Sequence, residues 1–175
     1  RMSLATYLEF KRRDPQRSGS MYEEAVRLAP FEPECLVALG VFRKTVVEDI
    51  DGAEAMFHKA LDADPLHGAA LVAMGDLLWT ARGESEAAEI MYKRAANVAG
   101  KKDATALRSY ALFQASRGRD KAAASLFRKA VKADPKHAPT RAAYGIILMY
   151  KLKDYEVAER ELLKAIELDP TQNVE

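Results

Sequence analysis

One cysteine, Cys35, excludes an internal disulfide and any cysteine-based metal cluster. Three histidines, His58, His67 and His137, leave little for metal binding or base catalysis. His67 and His137 occupy the same slot after an Asp-Pro pair, 70 residues apart. In a chain built of repeats that is too far to share an ion, so loop or helix-capping roles are expected. Cys35 has no histidine near it in sequence, and a catalytic thiol needs a base and an orienting third group. It is expected to be a half-buried helix residue. A glycine-rich phosphate loop, a Ser-His-Asp arrangement and HExxH are all missing. The paired acids Glu23-Glu24, Asp49/Asp51 and Glu159/Glu161 fit helix starts or surface positions. No apolar run approaches the roughly 20 residues of a membrane span, and no signal-peptide pattern opens the chain. The expectation is therefore no enzyme, no cofactor, no metal and no membrane span, in an intracellular and most simply cytoplasmic setting.

What the chain does have is a period. MFHKALDADP at Met56–Pro65 returns as LFRKAVKADP at Leu126–Pro135 and as ELLKAIELDP at Glu161–Pro170. MYEEAVRLAP at Met21–Pro30 and MYKRAANVAG at Met91–Gly100 complete five copies, 35 residues apart. Alanine recurs at Ala25, Ala60, Ala95, Ala130 and Ala165, with Tyr22, Phe57, Tyr92, Phe127 and Leu162 three residues earlier. A fixed period of this length marks a stacked repeat architecture. The units are 1–30, 31–65, 66–100, 101–135 and 136–170, with a tail at 171–175, so repeats fill the chain as a single solenoid.

Each unit is expected to be two helices. In the second, helix B, Ala53, Met56, Phe57, Ala60 and Leu61 form an apolar stripe at helical spacing. Asp51 with Glu54 three residues later has capping-box spacing at its start. Asp64-Pro65 marks its end, because proline cannot continue a helix. Asp154, Asp134-Pro135 and Asp169-Pro170 repeat this punctuation, while Gly83 and Gly118 sit where helix A turns into helix B. Helix A carries Gly40, Gly75 and Gly145 on the same grid, behind the edge formed by Leu36, Leu39, Leu71 and Met74. A helical glycine costs about 1 kcal/mol relative to alanine, so three in register imply a close helix crossing. Repeat 1 fits with Leu4 and Ala5 in these places. It begins a few residues into its helix A, so the chain is expected to be cut from a longer protein.

Repeat 4 breaks the grid, since strict spacing puts Tyr110 at the glycine position. Sliding by one puts Ala111 there and Leu107 with Tyr110 on the buried edge, leaving the extra residue in the Gly100-Lys101-Lys102 loop. The slide is preferred, because a tyrosine cannot sit at a close crossing.

The pattern of Leu39-Gly40, Met74-Gly75 and Tyr144-Gly145, followed by A…(F/Y/L)xxA…DP, resembles the tetratricopeptide repeat (TPR) over essentially the whole chain. The unit is one residue longer than the usual repeat of about 34. Two departures unsettle local packing: Arg141 where helix A opens on tryptophan or leucine, and Arg43 where an aromatic residue is usual. The resemblance implies an all-α, right-handed superhelical solenoid of about ten helices. Its A helices would line a concave groove that binds a helical or extended segment of a partner protein. The groove positions it implies are Val37, Val41 and Lys44, then Val72, Asp76 and Trp79. Arg108 and Ala115 follow, then Ile146, Met149 and Tyr150. Most are apolar, and Arg108 is the only good cationic donor where family members that grip acidic C-terminal tails have several. That mode is disfavoured.

Charge is uneven: by repeat it runs +2, −5, −1, +6 and −1. Solvated outer faces explain this, as would steering of a charged partner or a neighbouring copy. Lys59, Lys93, Arg94, Arg128, Lys129 and Lys164, with Lys132 and Lys136, form a basic stripe on the B helices. RNA binding by that stripe is the alternative, disfavoured because alanine and valine line the face where RNA-reading repeats place polar side chains. A self-associating module is a further alternative, since only Thr171–Glu175 follow the last helix B and solenoids need polar caps.

Overall fold

In the computed structural model, residues 15–99 and 103–169 are described, and among them there are nine α-helices and no strand. They are α1 (Pro15–Leu28), α2 (Pro33–Phe42), α3 (Ile50–Ala63), α4 (Gly68–Leu77), α5 (Ser85–Ala99), α6 (Ala104–Ser116), α7 (Asp120–Ala133), α8 (Ala138–Ile147) and α9 (Tyr155–Leu168). Helices α2, α4, α6 and α8 are A helices, and α1, α3, α5, α7 and α9 are B helices. The all-α expectation of stacked helix pairs holds. The first helix A, with Leu4 and Ala5, lies outside the described residues, as do Gly100, Lys101, Lys102 and the 171–175 tail.

The chain forms two compact units, residues 1–91 and 92–175. In the first, α2 packs on α1 and α3, and α4 packs on both α2 and α3. Leu36, Leu39, Phe42, Met56, Ala60 and Ala70 form its buried cluster. In the second, α6 packs on α7 and α8 on α9. There Ala111, Phe127, Tyr144, Ile147 and Leu148 are buried together.

The glycine grid is explained by contact. A Cβ on Gly40 would stand 2.5 Å from the ring of Phe57, and one on Gly145 would stand 2.6 Å from Leu162 Cγ. Both neighbours belong to the bulky series of helix B, so the glycine of A is the seat for the large residue of B. In repeat 4 Ala111 is wholly buried and Leu107 nearly so. The one-residue slide is thus the arrangement observed. Tyr92 packs its ring 5.1 Å from Phe113 and 6.3 Å from Tyr110.

In repeats 2 to 5 the structure also places the extra residue. In repeats 2, 3 and 5 helix A ends in a widened π-type turn, Arg43–Val47, Leu78–Arg82 and Leu148–Leu152. Each turn closes with an amide donating to a carbonyl six residues back: Asp49 to Arg43, Glu84 to Leu78 and Asp154 to Leu148. In repeat 4 the closing bond runs from Arg119 to Gln114, five residues back, with no widened turn. Its helix starts from Asp103, whose carboxylate accepts from the Thr105 and Ala106 amides. The surplus residue there precedes the helix instead. The chain reverses direction through a left-handed residue at Glu48, Gly83, Gly118 and Lys153, with φ of 61, 72, 71 and 60°.

Three expectations are refined. Helix α3 is capped by Asp49, accepting from the Gly52 amide at 2.8 Å, and not by Asp51. The widened turn brings the chain out two residues before the capping-box spacing would start the helix. Asp51 and Glu54 instead bind Arg82, whose Nη2 lies 2.6 Å from Glu54 Oε2. Where Arg43 replaces the usual aromatic, Phe42 supplies the buried ring, 5.4 Å from Tyr22. Glu161 is buried rather than superficial. It pairs with Arg141, also buried, whose Nε donates to Pro135 O at 2.8 Å. On the grid Arg141 stands where Leu36 stands in repeat 2, and Glu161 where Met56 stands. An apolar contact has been exchanged on both sides for a charged one.

Two predictions follow from these turns and this pair. A left-handed conformation costs a side-chain-bearing residue about 1–2 kcal/mol. Lys153→Gly and Glu48→Gly should each raise stability by about 0.5–1 kcal/mol, and Gly118→Ala should lower it by about 1 kcal/mol, read as urea midpoints. A lower midpoint for Lys153→Gly would refute the turn assignment. Breaking the buried pair with Glu161→Met should cost about 3–5 kcal/mol, while Arg141→Leu with Glu161→Met should be neutral or stabilising. A double variant no better than the single would contradict the apolar exchange.

Candidate functional site

Helix A offers a surface because its buried edge uses only one stripe. Leu36, Leu39 and Phe42 turn inward, and so do Leu71, Met74 and Leu77. The adjoining stripe holds the positions anticipated for a groove. In the first unit Val41 is 39% exposed, and Val37, Lys44, Val72, Asp76 and Trp79 are half-buried. Val37 packs against the cluster around Leu36. In the second unit Ile146 is 45% and Tyr150 65% exposed, while Arg108, Ala115 and Met149 are half-buried. Ala115 and Met149 lean on the cluster around Phe127. The positions with most free apolar surface are therefore Val41, Ile146 and Tyr150.

One residue escaped the sequence reading. Leu112 is 36% exposed, and the one-residue slide puts it in register with Val41 and Ile146. Applying the slide to the groove stripe as well as to the buried edge would have found it.

Arg108 Nε is buried and has no hydrogen-bond partner. It lies beside a small polar hollow of about 110 Å³ that Thr105, Asp134, His137 and Thr140 also line. Both anticipated histidines are helix caps. His67 Nδ1 accepts from the Ala70 amide at 3.3 Å, and His137 Nδ1 from the Thr140 amide at 3.2 Å. His67 Nε2 also faces Glu34 Oε1 at 3.1 Å. Among the described residues no group of acids, histidines and cysteine could hold a metal, and no helix is long and apolar enough to cross a membrane.

The basic residues of the second unit come together. Lys93, Arg128, Lys129 and Lys132 surround a cleft whose apolar lining includes Leu107, Tyr110 and Leu126. On the last helix Tyr155, Leu163 and Ile166 are exposed.

Against this geometry, the comparisons are concordant. A tetratricopeptide repeat model matches residues 47–103 and 83–138, and a second tetratricopeptide repeat model matches 140–172. The chain belongs to the tetratricopeptide repeat family, whose fold supports protein–protein interaction and whose members are generally not enzymes. A comparison with curated proteins gives no match. Among solved structures it is similar to MamA from Desulfovibrio magneticus RS-1, at 21% identity over 96% of each chain and a TM-score of 0.67. It is also similar to YrrB, described as a TPR protein with an unusual peptide-binding site, at 24% identity. That match covers 97% of this chain and 88% of YrrB, with a TM-score of 0.62. A thermophilic TPR protein of Thermus thermophilus, TTC0263, matches at 17% identity over 97% of this chain and 86% of its own, with a TM-score of 0.75. These likenesses establish the fold.

Cys35 yields a prediction from its surroundings. Burial, and the carboxylates of Glu32 and Glu34, push its thiol above the usual range. At a given mildly alkaline pH it holds less thiolate than the unfolded chain. Its reaction with a thiol reagent should then be slower when native than in denaturant, the gap narrowing as pH rises. A native rate equal to the denatured one near neutrality would show the thiol to be unperturbed.

Proposed function

We propose that this protein is a non-enzymatic interaction scaffold whose A helices bind a helical or extended segment of another protein. The observation that supports this reading most is the register of Val41, Leu112 and Ile146. At one position of three A helices, a branched apolar side chain is left substantially in solvent. Exposed apolar residues scattered singly need no explanation, but recurrence at one register position of repeats 2, 4 and 5, with Asp76 in that place in repeat 3, does. Such a face suits a ligand with apolar anchors at helical or alternating spacing. Tyr150, exposed at the end of helix A, adds an amphipathic ring of the kind that anchors interfaces. Arg108, half-buried on the same stripe, brings a guanidinium suited to one acidic residue of the ligand. YrrB, similar in fold, is a peptide-binding TPR protein, which lends the reading general support.

The test is affinity capture with the wild-type chain and with an Ile146→Ser/Tyr150→Ala variant, each with and without nuclease. Both residues are exposed, so circular dichroism should report an intact fold. A discrete protein that survives nuclease should be captured by the wild type. Its binding, measured with purified partner, should weaken by about tenfold or more in the variant, the loss of two modest hot spots. Undiminished binding by the folded variant, or capture of nuclease-sensitive material alone, would refute the proposal.

A further inference from the structure

The cleft of the second unit shares no lining residue with the stripe just described and calls for a ligand of its own. Its volume is about 540 Å³, within the range of roughly 300–1,000 Å³ typical of ligand sites. One wall is α5, presenting Lys93 and Asn97 one helical turn apart. The other is α7, with Arg128 and Lys132 likewise one turn apart and Lys129 between them. Leu107 and Tyr110 of α6 make an apolar floor. This is where repeat 4 departs from the grid. Tyr110 takes the position that Leu39, Met74 and Tyr144 fill as buried residues, yet it remains half-exposed.

Charge decides what the cleft can hold. Among the described residues no carboxylate lines it. Among the described residues Arg128, Lys129 and Lys132 take part in no ion pair. Like charges gathered round a low-dielectric floor repel one another and concentrate anions. The surroundings reinforce this: residues 92–175 carry 17 lysines and arginines against 10 acids, whereas residues 1–91 carry 10 against 16.

The apolar floor narrows the class. Three lysines are point charges on flexible stems and impose no fixed geometry, while Arg128 can hold one carboxylate bidentately. Among the described lining residues Asn97 is the only neutral amide, so little is present there to read a nucleobase edge. We infer that this cleft is a second docking site, which takes a short acidic segment of a partner protein with one apolar side chain seated on Leu107 and Tyr110 and flanking carboxylates held by Arg128, Lys129 and Lys132.

The probe is a labelled peptide with one leucine flanked on each side by glutamates. It is compared with the same peptide carrying glycine for leucine and with a single-stranded oligouridylate. Binding is followed by anisotropy to the full chain. The leucine peptide should bind, and should weaken about tenfold or more as salt rises from about 0.05 to about 0.5 M. Lys129→Glu/Lys132→Glu should weaken it about tenfold or more, since both attraction is lost and repulsion gained. These residues are exposed, so the melting curve should be little changed. The glycine peptide should bind about fivefold less tightly, the worth of one partly buried leucine. Ile146→Ser/Tyr150→Ala should leave all three affinities unchanged, which separates this site from the A-helix face. Equal or tighter binding of the oligouridylate would overturn the inference in favour of a phosphate-binding site. So would indifference of the peptide to the double charge reversal. Salt-sensitive self-association abolished by the same reversal would overturn it too, by naming another copy as the occupant.

Discussion

The whole arrangement depends on how closely helix A can approach helix B. With hydrogen alone at Gly40 and Gly145, the rings and branches of Phe57 and Leu162 can lie directly on the A backbone. Packing interiors tolerate little misfit, so this single contact sets the distance within each pair. The alanines three residues on, Ala60, Ala95 and Ala130, are wholly buried because that distance is short. Once the inner stripe is committed to this crossing, the next stripe of helix A is left over. It is this surplus stripe that carries Val41, Leu112 and Ile146.

The longer repeat has a physical meaning. An additional residue in a helix pair must go somewhere without turning the buried stripe outward. In three repeats it is absorbed at the end of helix A, by widening the last turn after the apolar contacts are complete. In repeat 4 it precedes helix A, and the stripe slides with it. The two solutions preserve the same core and leave different surfaces. The half-exposed Tyr110 and the basic cleft above it belong to the second.

Much of this was legible in the sequence, for reasons that can be named. The glycine grid, the Asp-Pro punctuation and the B-helix stripe are local signals that recur, so each copy checks the others. The slide in repeat 4 was legible because one steric fact, a tyrosine at a glycine seat, had one economical remedy. What was not legible depends on residues far apart in the chain. Asp51 looked like a cap because its spacing to Glu54 is right, but where the widened turn ends cannot be read from spacing. Glu161 looked superficial because its partner, Arg141, lies 20 residues away on the facing helix. The cations of α5 and α7 read as a stripe along the outer helices. Only their packing against α6 shows that four of them surround one opening.

The exchange of Leu and Met for Arg141 and Glu161 also bears on how such a chain finds its own order. Its B helices are near-copies, and any of them could in principle be offered to a given A helix during folding. Among the described A helices, α8 alone carries an arginine buried on its inner edge. Laid against the B helix of repeat 2 or repeat 4, it would meet Met56 or Leu126 and strand a charge out of water, at a cost of several kcal/mol. Only α9 supplies the answering carboxylate. A contact that contributes little to net stability can thus act as an address, telling the last pair of helices apart from their look-alikes.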